Sequence, residues 1–92
     1  MTSFKEWFLS LMIKSCLDGK HYAFVHESGI PYWLILGMQN GVRYPSPETL
    51  KKIFDWFGTD ESEQKEVVYM LWKEKLNKLT TKESDIYDGR TD

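Results

Sequence analysis

Apolar residues recur at intervals of three and four along most of the chain, the spacing that gathers side chains on one face of a helix. Short glycine-containing or polar breaks interrupt the pattern near residues 19, 29, 41 and 58, so it predicts five helices and no strand. Ser3 with Glu6 three residues later is a capping box, and helix 1 is expected to start near Phe4. Phe4, Phe8, Leu11, Met12 and Ser15 form its inner face. Trp7, Leu9 and Ile13 fall off that stripe, which implies that another element covers part of a second face. Asp18-Gly19 ends the helix. Helix 2 is expected from about Lys20 to Glu27, with Tyr22, Phe24 and Val25 inward, closed by Ser28-Gly29. Ile30 then plugs the core, and Pro31 opens helix 3, expected over residues 31–38 with Ile35 and Met38 inward.

Asn40-Gly41 marks a turn, and Pro45 disfavours helix at Tyr44, so residues 42–45 read as an extended loop. Ser46-Pro47-Glu48 starts helix 4, whose inner stripe is Leu50, Ile53, Phe54 and Phe57 and whose stop is Gly58. Asp60 and Glu63 open helix 5, which the pattern carries to Leu79. Its stripe is Val68, Leu71, Trp72, Leu76 and Leu79, widened by Val67 and Met70. From Thr80 the periodicity lapses, and residues 80–92 are expected to be a disordered acidic tail, with Ile86 and Tyr87 as an isolated apolar spot. The expected architecture is all-α, with residues 1–79 as one domain.

Ninety-two residues make one small domain of modest stability. A single cysteine, Cys16, rules out an intrachain disulfide and suits a cytoplasmic location, where the thiol is expected to be a small buried apolar group. The start of the chain has neither the positive charge nor the cleavage site of a signal peptide. No stretch reaches the roughly 20 apolar residues of a bilayer span, so no membrane partner is expected. Five Phe, four Trp and five Tyr exceed the needs of one small helical core, and spare aromatics belong at interfaces.

The net charge of −2 is unevenly placed. Residues 1–18 are neutral, 19–52 carry four basic groups against two acidic, and 53–92 carry six against ten. The middle of the chain is therefore the basic part of an acidic protein. His21 and His26 stand five apart without cysteine or paired carboxylates at ligand spacing, so no metal or other cofactor is expected. No nucleophile–base pair or phosphate-binding loop is visible, and no catalytic residues are assigned.

Gly29-Ile30, Ile35, Met38, Asn40-Gly41, Arg43, Pro45-Ser46 and Leu50, in register between helices of suitable length, resemble the lambda-repressor-like helix-turn-helix family, of the Cro and xenobiotic-response-element type. The similarity covers roughly residues 8–58. It implies a compact five-helix fold in which helices 2 and 3 cross through a short turn and helix 3 enters the DNA major groove. Val25 stands where the family usually has alanine. Lys14 and Gln39 replace an arginine–glutamate pair, so the internal brace differs.

By the same resemblance, the base-reading positions are Tyr32, Trp33 and Gly37, with Leu34 and Leu36 beside them and Pro31 opening the surface. The phosphate positions are His21 and Arg43, joined by Lys20 and Tyr44. The implied function is that of a DNA-binding regulator of the phage or plasmid type, acting on double-stranded operator DNA as a homodimer. Val67, Met70, Leu71 and Trp72 of helix 5 are the candidate dimer seam, while Trp56 and Trp72 are also candidates for the core. Helix 3 departs from a usual reader, because base readout favours Arg, Asn and Gln and its outward positions carry none. The alternative is a module of the same fold that binds another regulator protein, antirepressor-like, with Tyr32, Trp33 and Leu36 as apolar anchors.

Overall fold

A computed structural model describes the backbone of residues 3–90 and the side chains of residues 3–77. Its five helices are α1 (Phe4–Leu17), α2 (His21–Glu27), α3 (Tyr32–Gln39), α4 (Pro47–Phe57) and α5 (Glu61–Arg90), and the described residues contain no strand. The helix starts follow their caps. Ser3 Oγ accepts from the Glu6 amide at 3.1 Å, Ser46 Oγ from Thr49 at 3.2 Å, and Asp60 Oδ1 from Glu63 at 2.8 Å. Pro31 is the N-cap of α3 rather than its first helical residue, with Tyr32 beginning the helix. Gly58 ends α4 at φ 62°, a left-handed conformation that a side chain would strain.

The core assembles around α1, which touches α2, α3 and α5. Phe4, Phe8 and Met12 on its main face are buried against Phe24, Ile30, Ile35 and Met38. The Phe8 ring lies 5.9 Å from Phe4 and 6.4 Å from Phe24, and Phe24 meets Phe57 at 5.1 Å. Trp7, off the main stripe, is buried too. Its ring packs edge-on against Phe54 of α4 at 6.0 Å, and its Nε1 donates to Glu63 of α5 at 2.9 Å. The covering element that the sequence pattern calls for is thus α4 with α5.

Five side-chain placements in the helices differ from the sequence expectation. Tyr22 is exposed: Phe24, fully buried, sets the roll of the short α2, and a residue two positions away points to the opposite side. Cys16 is exposed as well, because Met12 and Ser15 are the residues that turn inward there. Among the described side chains of α5 the buried residues are Val67 and Leu71, whereas Val68, Trp72 and Leu76 face outward. Two carboxylates fix that roll. Glu63 accepts from Trp7, and Glu74 accepts from the Phe4 amide at 2.7 Å, so the face holding residues 63, 67, 71 and 74 turns to α1.

The buried positions of Val67 and Leu71 remove them from the candidate dimer seam, and Met70, packed against the core, stands at its edge. Trp72 is 60% exposed, so it belongs to a surface and not to the core, whereas Trp56 packs against Phe24 at 5.9 Å. Helix α5 also passes Leu79 without a break and ends at Arg90, where the sequence pattern places a disordered tail. Neither proline nor glycine occurs between Asp60 and Asp88, so nothing in that stretch stops helix propagation. The side chains of Leu79, Ile86 and Tyr87, and all of residues 91 and 92, lie outside the described residues.

Replacing Phe8, which has no exposed surface, by alanine should cost about 3–5 kcal/mol in urea denaturation. Ile13→Ala, at a site 60% exposed on the same helix, should change stability by about 0.5 kcal/mol or less. Equal losses at the two sites would contradict the burial described here.

Candidate nucleic-acid interface

The outward face of α3 is built by the turn before it. Gly29 adopts φ 80°, a left-handed conformation, and the Ile30 amide donates to Ser28 Oγ at 3.3 Å. Ile30 is thereby driven into the core, and α3 crosses α1 with Ile35 and Met38 fully buried. Three of its other side chains then face solvent: Tyr32 at 56%, Trp33 at 59% and Leu36 at 39% exposure.

Arg43 belongs to the following loop, but its side chain lies back against this helix. The amides of Val42 and Arg43 both donate to the Gly37 carbonyl, at 2.9 and 3.2 Å. The aliphatic part of the Arg43 side chain covers Gly37, and its guanidinium carbon stands 4.9 Å from the centre of the Trp33 ring. A Cβ added to Gly37 would come within 2.8 Å of Arg43 Cγ and Cδ. Gly37 is buried for this reason and presents no surface of its own, contrary to its expected role as a base-reading position. Trp33, Val42, Arg43, Ser46 and Thr49 help to line a shallow groove of about 340 Å³ beside the stack.

Tyr44 turns the other way. It is half-buried, with its ring 6.4 Å from Phe4, and it hydrogen-bonds to Glu74 of α5. Burial, followed by the negative charge and hydrogen bond of Glu74, raises its hydroxyl above the ordinary tyrosine value. Tyr44 braces the loop against α1 and α5, away from the outward face of α3, contrary to its expected place beside Arg43.

At the start of α2, Lys20 is exposed, and His21 is half-buried with Nδ1 3.2 Å from Ser15 Oγ. Ser15, buried in α1, also donates to the Met12 carbonyl at 3.3 Å. His21 therefore ties α2 to α1. On the neighbouring flank, the Tyr22 and His26 rings meet at a 38° tilt with centres 4.1 Å apart, and a groove of about 540 Å³ runs from these rings to Tyr32. Pro31 is exposed between the turn and Tyr32.

Two lysines join the surface without having been expected there. Lys52 of α4 donates to the Gly29 carbonyl at 3.4 Å, which sets a cation beside the turn that precedes α3. The side chain of Lys5 of α1 runs past Gly41 at the other end of α3. Sequence spacing could not find either, because each reaches α3 from a distant helix. Comparison with known protein families, with curated proteins and with solved structures finds no match for this chain.

The raised Tyr44 value favours the neutral phenol in the folded state. Its contribution to stability is complete below the ordinary tyrosine value of about 10 and is lost as pH rises through the folded value. The stability advantage of the wild type over Tyr44→Phe, followed by thermal melts, should therefore shrink above about pH 10. An advantage that stays constant into that range would contradict the burial and the Glu74 contact.

Proposed function

We propose that this chain is a helix-turn-helix regulator that binds double-stranded operator DNA, with α3 in the major groove. The observation that carries the reading is the outward face of α3. Tyr32, Trp33 and Leu36 protrude from a short helix held across the domain, and the Arg43 guanidinium sits on that face. A protruding helix backed by another helix matches the groove dimensions of B-DNA. Lys5, Lys20 and Lys52, around the ends of α2 and α3, supply the positive charge from which phosphate affinity arises. The phage or plasmid type of regulator is the context that the resemblance suggests.

Few cations per chain and a net charge of −2 make two copies necessary for useful affinity. Val68, Trp72 and Leu76, spaced four apart and outward on α5, form the seam we assign to a homodimer. Sedimentation should give a dimer for the wild type and a lighter species for Trp72→Ala at the same concentration. A wild type that sediments as a monomer at high concentration would remove this assembly.

One observation favours a second reading. The exposed α3 side chains are apolar or aromatic, and the Tyr22–His26 pair lies on their flank, a composition suited to a protein groove. Selection from random duplex DNA at two salt concentrations separates the two. A DNA regulator should enrich a motif, two-fold symmetric with half-sites about 10 base pairs apart if a dimer binds. No enrichment at low salt would count against DNA and leave the protein-interaction module, with Trp33 as its anchor.

A further inference from the structure

The exposed side chains of α3 lack the paired donors and acceptors that match base edges. Arg43 supplies what they lack, from outside the helix. Its amide is anchored at the Gly37 carbonyl, and its methylenes run over Gly37. Its guanidinium ends at Trp33, one helical turn nearer the start of α3. That first turn is where recognition helices contact base edges. The missing side chain of Gly37 is thus replaced by the side chain of Arg43, laid along the helix toward its N-terminus.

A cation–π contact with one ring occupies only part of the guanidinium and leaves N–H donors of its planar fork available. An arginine whose stem is seated and whose head rests on an indole loses less rotamer freedom when it binds than a free surface arginine does. Its planar fork matches the O6 and N7 acceptors of guanine. A phosphate clamp, in contrast, requires a side chain that extends from the loop toward the duplex backbone.

We infer that Arg43 is the base-reading side chain of the α3 face, that it recognises a guanine in the major groove, and that Gly37 and Trp33 position it. This rests on the DNA-binding reading above. Gly37 can serve in this way only because it has no Cβ. The nearest Arg43 atoms to that space include Cβ at 3.0 Å, which the backbone bonds to Gly37 hold in place, so Arg43 cannot simply swing aside.

The test uses the full chain with its selected operator and with operators substituted at each guanine. Arg43→Ala should erase the preference at one guanine per half-site, a discrimination of about 5- to 150-fold, and leave the preferences elsewhere. Arg43→Lys should not restore it, because an ammonium lacks the fork. Gly37→Ala and Trp33→Ala should weaken the same preference while circular dichroism keeps its helical signal. In NMR spectra of the free protein, both variants should remove the ring-current shift of the Arg43 Nε–H signal.

A uniform loss across all operators, with the salt slope lowered by about one per subunit, would make Arg43 a phosphate contact and overturn the inference. So would a guanine preference indifferent to Arg43, or an Arg43 signal without a ring-current shift in the wild type. If the wild type selects no motif at all, the DNA reading and this role fall together. A motif that keeps all its guanine preferences in Arg43→Ala sinks this role alone.

Discussion

Burial of two faces of α1 is the constraint on which the other helices depend. Phe4, Phe8 and Met12 hold α2 and α3, while Trp7 holds α4 and α5. A helix with apolar side chains on one stripe accepts neighbours on one side only. Here the added tryptophan, three residues from Phe4 and 5.6 Å from its ring, widens the stripe so that a second pair of helices packs along its edge. The indole also needs a partner for its N–H, and Glu63 provides it. That bond, with the bond between Glu74 and the Phe4 amide, sets the roll of α5.

The roll of each helix then decides which residues remain for function. α3 presents Tyr32, Trp33 and Leu36 because Ile35 and Met38 are committed to α1 and its neighbours. α5 presents Val68, Trp72 and Leu76 because Val67 and Leu71 are committed inward. Both outward sets are apolar, so the domain shows two faces that water covers poorly. Between the core and the α3 face lies Gly37. It has no side chain, and the space it leaves is filled by a cationic side chain from the following loop. Gly37 lowers the intrinsic stability of α3, and the packing of the Arg43 stem over it, with the guanidinium on Trp33, offsets part of that loss.

Much of this was legible along the chain. Caps at Ser3, Ser46 and Asp60 and stops at Gly19 and Gly58 mark helix ends through local hydrogen bonding and backbone geometry, which act within a few residues. The inner stripe of α4 follows from spacing, since polar residues bound it, and Phe4, Phe8 and Met12 of α1 and Ile35 and Met38 of α3 are likewise buried where the spacing places them. α5 was misread because it has apolar residues at 67, 68, 70, 71, 72 and 76, a band too wide for spacing to choose a centre. Its continuation to Arg90 was missed for a different reason: loss of apolar period removes packing, not helix propensity. Of the α3 face, Tyr32, Trp33 and Leu36 could be placed from the pattern, but Tyr44 could not be separated from Arg43.

The amino-acid sequence by itself determines the all-α class, the five helices and the turns between them, because capping, left-handed glycines and apolar period are local properties. Tertiary structure decides where neighbouring side chains go when local rules treat them alike. Arg43 and Tyr44 are adjacent in an extended loop, yet one lies on α3 and the other under α5. The difference comes from what each can reach: a glycine carbonyl and an indole face on one side, a phenylalanine and a carboxylate on the other. Those partners are brought together only when the helices pack.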